Sequence, residues 1–407
     1  MNVLFLTIGR MEDIDAHGIY PDLLRQFREH GHHIFVVSPS ERRTGKETEL
    51  VKKTGVQLLH VKIGNITKCG TLEKGISTVQ IEAQFKSAIQ RYFHDVKFDL
   101  VLYSTPPITL VGVVRFIKKR DGAKSYLLLK DIFPQNAVDL GMMSKTGWKG
   151  IVYRYFRAKE KRLYALSDVI GCMSHANMDY TIKHNPEINP GIVEVCPNSI
   201  EVRDLRLTQL ERDAMREKYG IPLDKKVFVY GGNLGKPQGI PFLMECLKVQ
   251  QDNKDAYFLI VGDGTEFIKL EAFFEKTQPQ NMKLMNRLPK EDYDRMIAAC
   301  DVGMIFLDHR FTIPNFPSRL LAYMQAGLPV LACTDPNTDI GRVIVEGGFG
   351  WWCESNDAER FADLVRWVCR EDLTLKSQKS AAYLLEHFSV KESYRAILHV
   401  LEAGREQ

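Results

Sequence analysis

Short apolar runs alternate with longer amphipathic stretches along the first half of the chain. VLFLTI at 3–8 and HIFVVSP at 33–39 are nearly continuous in apolar residues, and the segment near Pro21–His30 between them has the spacing of a helix. Further apolar runs of the same kind occupy 98–107, 125–134, 167–174 and 193–200. Strands of this type separated by helices predict a parallel sheet that is covered on both faces.

The same alternation starts again after PNSIEVRDL at 197–205. The predicted strands of this second series are 226–233, 256–264, 282–288, 301–307, 327–333 and 348–353. The sequence therefore predicts an α/β protein with two doubly wound domains, residues 1–198 and 199–386, followed by a C-terminal segment at 387–407. A last helix is expected near Val390–Leu401, and from its pattern alone it could pack on either domain.

The predicted sheets also indicate where a ligand is expected. In open parallel sheets, ligands bind outside the carboxyl ends of the strands. Two such sheets that face each other would form a cleft between the domains. The candidate functional residues are therefore those that directly follow a predicted strand.

Composition and charge limit the classes of partner. The 407 residues are 44% hydrophobic and 26% charged, which is ordinary for a soluble globular protein. The net charge of +4 is too small to indicate a nucleic acid partner. Residues 1–200 hold 28 Lys and Arg against 20 Asp and Glu, whereas the remainder holds 27 against 31. This asymmetry suggests an anionic partner for the first half; the alternative is charge scattered over a solvated surface.

The eight cysteines form no C-x-x-C pair and do not cluster with histidine at zinc spacing. We expect reduced thiols in a cytosolic chain and no metal site built from them. The first residues, MNVLFLTIGR, lack the basic segment and the longer apolar run of a signal peptide. No apolar run reaches the roughly 18 residues that a transmembrane helix needs, so any membrane contact is expected to be peripheral.

Three predicted strands of the second half end in residues that suit an anionic ligand. GGNLGKPQGI at 231–240 combines glycines, which allow close backbone approach, with Lys236 near the start of a helix. VGDG at 261–264 is a second glycine turn, and Arg287 ends a third strand. Taken singly, each pattern also fits a plain turn or a solvated arginine.

FPSR at 316–319 is the strongest candidate for a phosphate-binding segment among these strand-to-helix connections. Pro317 suits the first turn of a helix, where its missing N–H costs nothing. The amides of Ser318, Arg319 and Leu320 are then expected to point out of the helix end and to bind a phosphate group. Arg319 would add a charge-assisted contact. The alternative is a capped helix whose arginine is solvated.

KDIFPQNAVDLG at 130–141 is the polar centre of the first half. Lys130 and Asp131 interrupt an apolar strand at its carboxyl end. A carboxylate in this place is suited to accept hydrogen bonds from a sugar or to act on a hydroxyl group. The alternative is that Asp131 caps the turn that follows.

A basic segment with interleaved aromatic residues lies at 145–168. It contains seven Lys and Arg, with Lys149, Arg154 and Arg157 among them, and one Glu before Asp168. This combination suits an anionic membrane surface or a lipid diphosphate, and we expect the three named cations to face the membrane. The alternative is a solvated helix face whose aromatic residues pack into the core.

The ordered motifs resemble a known family. PNSI, YGGNLGKPQGI, VGDG, ACDVGMIFL and FPSRLLAYMQAGLPVLA resemble the second domain of GT-B glycosyltransferases of family 4, and LLLKDIFPQNAVDLG and MSHANMDY resemble the first domain. The similarity covers nearly the whole chain and is closest to bacterial enzymes that extend lipid-linked O-antigen or capsule units, including transferases of the N-acetylfucosamine type.

The resemblance implies two Rossmann-like domains that face a cleft, with the last helix crossing back to the first domain. It implies retaining, metal-independent transfer of a hexosyl or N-acetylhexosaminyl group from a nucleotide sugar, with UDP favoured and no cofactor. The implied acceptor is a lipid-linked saccharide at the inner face of the plasma membrane, where the protein would be peripheral. The leaving diphosphate would take the proton of the acceptor, so that the protein acts mainly by electrostatics.

The resemblance also implies roles for individual positions. The phosphate-binding Arg and Lys of the family fall on Asn233 and Gln238 here, which leaves Lys236 as the nearby cation. The base is expected near Arg287 and Leu288. The implied donor-binding residues are Asn233, Lys236, Gln238, Gly262, Gly264, Arg287, Leu288, Phe316, Pro317, Ser318 and Arg319. The implied catalytic residues are Asp131 and Lys130, and Gly18 and Asn136 are expected beside the acceptor.

One departure from the family pattern bears on function. The family often has two glutamates separated by seven residues, which hold the sugar and the ribose, and these positions are Pro314 and Ala322 here. Ribose recognition must then come from elsewhere. Two other functions stay open: a GT-B sugar-nucleotide epimerase, which would not need the basic segment, and an inactive partner subunit. The missing glutamates favour the inactive subunit, whereas the retained FPSR and Asp131 oppose it.

Overall fold

The computed structural model describes residues 1–67 and 69–403, and it divides into two compact units. The first unit comprises Met1–Glu201 together with the segment that begins at Val390, and the second comprises Val202–Ser389. The sequence places the corresponding boundaries at 198/199 and 386/387. Residues 404–407 of the predicted C-terminal segment lie outside the described residues.

In the described part of the first unit, eight strands form one sheet in the order β3-β4-β2-β1-β5-β6-β7-β8. The strands are β1 (Asn2–Leu6), β2 (His33–Glu41), β3 (Glu49–Lys53), β4 (Val56–Ile63), β5 (Leu100–Ser104), β6 (Lys124–Leu129), β7 (Val169–Cys172) and β8 (Val193–Val195). Neighbouring strands are parallel except for β3, which pairs antiparallel with β4 and places Leu50 opposite Leu59. The sequence pattern did not predict this hairpin.

Helices cover both faces of this first sheet, which explains the continuous apolar runs. They are α1 (Ile19–Glu29), α2 (Thr71–Tyr92), α3 (Val111–Asp121), α4 (Gln135–Asp139), α5 (Gly147–Leu166) and α6 (His175–His184). Successive strand residues point to opposite faces. Leu4 and Leu6 therefore pack in one buried cluster, whereas Val3 and Phe5 pack in the other.

In the described part of the second unit, six parallel strands form a sheet in the order β11-β10-β9-β12-β13-β14. They are β9 (Lys226–Asn233), β10 (Ala256–Asp263), β11 (Met282–Met285), β12 (Val302–Phe306), β13 (Val330–Thr334) and β14 (Gly350–Glu354). The helices are α7 (Gln209–Tyr219), α8 (Ile240–Val249), α9 (Phe267–Thr277), α10 (Lys290–Ala298), α11 (Arg319–Gln325), α12 (Ile340–Glu346), α13 (Ala358–Arg370) and α14 (Thr374–His387). The prediction of two doubly wound α/β domains is confirmed.

The last helix, α15 (Val390–Ala403), packs on α1 of the first unit. The ring of Tyr394 meets the edge of Phe27 at 4.8 Å between centroids, and its hydroxyl lies 3.1 Å from Nε2 of His32. The amide of Val390 donates to the carbonyl of Ile200 at 3.0 Å. These contacts join the end of the chain to the segment that leaves the first unit.

Among the described residues, no helix has both the length and the apolar character needed to cross a membrane.

Candidate functional site

A cavity of about 340 Å³ lies at the carboxyl ends of β9 and β10 in the second unit. Its lining comes from the ends of these strands, the connection after β11 and the first turn of α10: Gly232, Asn233, Val261, Gly262, Asp263, Arg287, Leu288, Lys290 and Tyr293. The carboxyl edge of a parallel sheet is where the fold concentrates loop residues, because every strand ends there. The cavity brings together four of the predicted donor-binding residues: Asn233, Gly262, Arg287 and Leu288.

Glycines keep the floor of this cavity open. Gly262 on β10 is the register partner of Gly232 on β9, and a Cβ on Gly262 would overlap the carbonyl oxygen of Gly232. Gly264 lies just beyond the strand, where an added Cβ would meet the backbone of Leu234. Gly264 therefore supports the turn, whereas Gly262 itself borders the cavity. Main-chain groups are thus available to a ligand on this side.

The loop after β9 is organised by its own hydrogen bonds. Asn233 Nδ2 donates to Gln238 Oε1 at 3.0 Å, and the same oxygen accepts the amide of Gly235 at 3.1 Å. Gln238, predicted to contact the donor, therefore uses its side-chain oxygen to hold the loop. Lys236 is exposed on the single 3₁₀ turn between them, and no group in the described part of the chain pairs with its ammonium.

The helix end predicted to bind phosphate differs from expectation. The helix α11 has only seven residues, so its dipole is small, and Ser318 makes no side-chain cap. The amide of Leu320, which was expected to be free, donates to the carbonyl of Pro317 at 3.2 Å. The ring of Phe316 packs against Phe388 with 5.9 Å between centroids. The short helix therefore offers less main-chain binding capacity than the sequence indicates.

The environment of Arg319 differs most from the expectation for this segment. Its guanidinium lies 4.4 Å from the ring centroid of Tyr230, and Nη2 is 3.5 Å from the carbonyl oxygen of Asn233. Nη1 is buried without a hydrogen-bond partner, and within the described ranges no carboxylate lies at ion-pair distance. The alternative of a solvated arginine is therefore wrong. A partly buried charge without a counter-ion, bordering the cavity through Asn233, favours an anionic ligand.

The candidate site of the first unit follows β6. Asn136 Nδ2 donates to Asp131 Oδ2 at 2.6 Å, and Thr105 Oγ1 donates to the Asp131 carbonyl at 3.0 Å. Burial raises the pKa of Asp131 to about 6, although the bond from Asn136 opposes the shift. The Oδ1 atom of Asn136 is buried and, among the described residues, has no partner. The structure thus joins Asp131 with Asn136 through a side-chain hydrogen bond.

Lys130 does not join this pair. Its ammonium donates to the carbonyl of Cys196 at 3.2 Å, and burial lowers its pKa. Consecutive side chains at the end of a strand point to opposite sides, which separates Lys130 from Asp131. Gly18, also predicted near the acceptor, precedes α1 and donates its amide to Asp22 at 3.1 Å.

One group of possible metal ligands lies near the start of α1. His17, Asp22 and Glu201 offer ligand atoms within 4.8 Å of one another. Arg25 Nη2, however, donates to Asp22 at 2.5 Å and to Glu201 at 2.9 Å. The guanidinium already supplies the positive charge that these carboxylates need, so the group does not fit a cation.

The helix α5 presents an apolar stripe to solvent. Trp148, Ile151 and Tyr155 are 74%, 62% and 43% exposed, and their spacing places them on one face of the helix. Lys149 and Arg154, two of the cations that the sequence places at a membrane, are exposed beside them. The surface of Trp148, Ile151, Tyr155, Lys149 and Arg154 is called the α5 face below.

Arg157, in contrast, is not part of the α5 face. Its Nη1 donates to Glu160 at 2.6 Å, and its Nη2 donates to the carbonyl of His184 at 2.8 Å and to Asn185 at 2.6 Å. Glu160 is almost fully buried and requires a counter-charge, which Arg157 supplies. The expectation that Arg157 faces a membrane is therefore wrong.

Tyrosines around Arg319 were missed by the sequence analysis. Tyr230 ends the apolar part of β9, Tyr323 lies on α11, and Tyr293 lies on α10 at the cavity wall. Each sits in a segment whose pattern indicates a core strand or helix. Their position in the chain could have identified them. Tyr230 lies near the carboxyl end of a strand, and Tyr293 and Tyr323 lie in helices that follow strands.

Comparison with known proteins agrees with this geometry. Residues 211–385 match the family described as glycosyl transferases group 1. The second unit carries a group 1 glycosyltransferase domain. The prediction of a glycosyltransferase enzyme is thereby confirmed at the level of the domain.

Relatives match over a larger part of the chain. The probable glycosyltransferase WbjE of Pseudomonas aeruginosa is 26% identical over 348 residues, which cover 85% of this chain and 84% of WbjE.

Solved structures match nearly the full chain. The Anabaena protein Alr3699/HepE, determined in complex with UDP and glucose, superposes with a TM-score of 0.71 at 15% identity, covering 99% of this chain and 100% of HepE. WaaG, a glycosyltransferase involved in lipopolysaccharide biosynthesis, superposes with a TM-score of 0.67 at 15% identity, covering 97% of this chain and 98% of WaaG. At such identities the likeness shows the GT-B fold.

Proposed function

We propose that this protein transfers a sugar from a UDP-sugar to a lipid-linked saccharide in bacterial surface polysaccharide biosynthesis, with retention of anomeric configuration and without a metal ion. The observation that carries the proposal is the guanidinium of Arg319, which borders the cavity of the second unit and has no carboxylate at ion-pair distance among the described residues. A nucleoside diphosphate supplies the anion that this charge lacks. HepE, of the same fold, is solved with UDP and glucose.

In this proposal, the donor extends between two ends of the cavity. The diphosphate lies beside Arg319 and Asn233, with exposed Lys236 as a second cation nearby. The base lies against Arg287 and Leu288, which line the cavity after β11, and β10 separates β11 from β9 in the sheet. The glycine floor lets main-chain groups approach the nucleotide closely.

In the proposed reaction, the bond between the sugar C1 and the diphosphate oxygen breaks, and a bond from the acceptor oxygen to C1 forms on the same face. The proton of the acceptor hydroxyl passes to the leaving diphosphate. Negative charge grows on the diphosphate as the bond breaks. A guanidinium fixed before the reaction stabilises that charge without reorganisation, which is the main contribution that Arg319 makes.

Asp131 is proposed to hold the acceptor hydroxyl in the first unit. Because burial raises its pKa to about 6, its carboxyl is mainly ionised at neutral pH but is easily protonated. Asn136 fixes one carboxyl oxygen, which leaves the other to accept a hydrogen bond from a sugar. Such a contact would orient the attacking oxygen and does not require Asp131 to take the proton.

The lipid-linked acceptor is proposed from the α5 face. An exposed stripe of Trp148, Ile151 and Tyr155 beside Lys149 and Arg154 suits the boundary between anionic headgroups and acyl chains. WaaG, which has the same fold, is described as a glycosyltransferase involved in lipopolysaccharide biosynthesis. We therefore place the protein peripherally at the inner face of the plasma membrane, where both nucleotide sugars and lipid-linked saccharides occur.

The proposal is tested by combining donors and acceptors. A thermal-shift screen against UDP-, GDP- and dTDP-sugars identifies the donor, and we expect the largest stabilisation from a UDP-sugar. The selected donor is then incubated with an undecaprenyl-diphosphate-linked saccharide in mixed micelles, and sugar transfer is followed by mass spectrometry. Stabilisation by no UDP compound would contradict the proposed donor.

The same assay separates the other functions. An epimerase converts the sugar of UDP-GlcNAc when no acceptor is present, whereas a transferase at most hydrolyses it slowly. A subunit that only binds the nucleotide would bind UDP through Arg319 but would transfer no sugar to any acceptor. The replacement of the family's two glutamates by Pro314 and Ala322 is the observation that keeps the binding subunit as the second candidate.

A further inference from the structure

Tyr293 lies in the middle of the proposed nucleotide site. It lines the cavity together with Gly232 and Gly262, and a Cβ on Gly231 would overlap its hydroxyl. Gly231 directly follows Tyr230, and the guanidinium of Arg319 lies over the Tyr230 ring, so Tyr293 lies toward the proposed diphosphate end. Arg287 and Leu288 line the same cavity at the proposed base end. In a nucleotide, the ribose lies between these two ends.

The three tyrosines around Gly231 differ in how their hydroxyls are used. Tyr230 donates to the carbonyl of Asn233 at 3.1 Å. Tyr323 donates to the carbonyl of Met304 at 3.1 Å and accepts the amide of Gly231 at 3.0 Å. The Tyr293 hydroxyl has no hydrogen-bond partner anywhere in the described ranges of the chain. Two of the hydroxyls thus hold the backbone, and the third is available to a ligand.

The chemistry of this hydroxyl suits a ribose. Burial raises the pKa of Tyr293 well above its usual range, so the phenol stays protonated and both donates and accepts. A sugar hydroxyl also donates and accepts, so the two groups are complementary. Tyr293 is half-buried at the cavity wall, so a ribose hydroxyl can reach its phenol and form a hydrogen bond that no described protein group supplies.

We propose that the Tyr293 hydroxyl binds a ribose hydroxyl of the nucleotide donor and thereby sets the preference for a ribonucleotide. This inference rests on the proposed function, since it requires a nucleotide in the cavity. It also explains how ribose is recognised although Ala322 stands where the family often has a glutamate. The neutral phenol of Tyr293 binds the ribose hydroxyl in place of that carboxylate. Tyr293 is a specificity-determining residue in this account and touches no reacting atom.

Asp263 is the carboxylate among the residues that line this cavity. Its carboxylate is 66% exposed and lies 3.9 Å from Arg287, so water and a cation already satisfy much of its capacity. Tyr293 is favoured because it is less exposed than Asp263, lines the cavity and has no hydroxyl partner among the described residues. The competing role of Asp263 is included in the test.

The experiment measures the binding of UDP, 2′-deoxy-UDP and 3′-deoxy-UDP by calorimetry to the full chain and to Tyr293→Phe. We expect the full chain to bind UDP about three- to tenfold more tightly than the analogue that lacks the contacted hydroxyl. Tyr293→Phe should lose this factor for UDP and bind that analogue as the full chain does. Tyr257→Phe is the matched control, because Tyr257 lies at the amino end of β10, away from the cavity.

Each outcome has a definite meaning. Equal weakening of all three ligands in Tyr293→Phe would indicate a structural role and overturn the inference. Unchanged discrimination in Tyr293→Phe, with discrimination lost in Asp263→Asn, would assign the ribose contact to Asp263 instead. UDP binding that depends on Arg319 but not on Tyr293 would leave the proposed function standing and refute this inference alone. Absence of UDP binding to the unaltered chain would refute both.

Discussion

The two candidate sites lie at the carboxyl edges of similar sheets, yet their electrostatics are opposite. In the second unit, Arg319 is a partly buried cation beside an open cavity, and no counter-ion for it occurs among the described residues. In the first unit, Asp131 is a half-buried carboxyl that is held by Asn136 and has a raised pKa. The first arrangement suits a diphosphate, and the second suits a neutral hydroxyl. Equivalent positions in one fold class thus differ in the ligand that they favour.

The largest expected effect separates turnover from donor binding. Asp131→Asn keeps the shape of the side chain but removes the carboxylate, so the acceptor hydroxyl is no longer oriented. We expect sugar transfer to fall about a hundredfold, while the dissociation constant of UDP is unchanged. Steady-state transfer and calorimetry on the same preparation check both statements. If Asp131→Asn also lost affinity for UDP, the assignment of Asp131 to the acceptor rather than to the donor would be contradicted.

The second prediction concerns the glycine floor of the cavity. Gly262→Ala places a methyl group against the Gly232 carbonyl, so β9 and β10 must separate at their carboxyl ends. We expect a loss of about 2–3 kcal/mol in the free energy of unfolding and a loss of UDP binding. The measurements are urea unfolding and calorimetry.

Gly75→Ala is the matched control for that substitution. Gly75 lies inside α2 of the first unit with open space around its Cβ position. The same change there is expected to be neutral or to stabilise by about 0.5–1 kcal/mol. If both variants lost similar stability, packing at the cavity floor would not be the cause.

The third prediction follows from the raised pKa of Asp131. The pKa is about 6 when folded against 3.8 without the fold, so the protonated form is favoured in the folded protein. The carboxyl therefore lowers stability as pH rises from about 4 to 6, and the cost is complete above that window. We expect Asp131→Asn to be more stable by up to about 3 kcal/mol at pH 7.5 and equally stable near pH 4. Urea unfolding at both pH values tests this, and a pH-independent difference would refute it.

The smallest expected effect concerns the α5 face. Trp148→Ser removes the most exposed apolar side chain, and we expect binding to vesicles of phosphatidylglycerol and phosphatidylethanolamine to weaken about five- to tenfold. Trp367→Ser is the matched control, because Trp367 is 66% exposed on α13 of the second unit. Vesicle sedimentation measures both. Equal loss in the two variants would show that the α5 face has no special part in membrane binding.

Most of the fold could be predicted from the hydrophobic pattern, because strands that are buried on both faces have nearly continuous apolar sequences. The runs at 3–8 and 33–39 became β1 and β2 with small differences at their ends. The hairpin of β3 and β4 was missed since β3 is a short edge strand with exposed, charged residues. An edge strand lacks the apolar continuity on which the prediction depends.

The site was predictable only as far as it follows strand ends. Asn233, Gly262, Arg287 and Leu288 meet at the cavity because parallel strands end together. The sequence does not reveal that Gln238 holds the loop or that Leu320 uses its amide within the turn. Nor does it distinguish the available hydroxyl of Tyr293 from those of Tyr230 and Tyr323. These details depend on side-chain hydrogen bonds, which residue spacing does not encode.

The most direct test of the account compares UDP binding by Arg319→Ala with that of Asp131→Asn. Arg319→Ala should weaken UDP binding about ten- to a hundredfold in calorimetry, because a charge-assisted contact to the diphosphate is lost. Asp131→Asn should bind UDP as the unaltered chain does, and so should Arg366→Ala, whose arginine is exposed and paired with Asp363. An unchanged dissociation constant in Arg319→Ala, in a variant that unfolds at the normal urea concentration, would contradict the central claim.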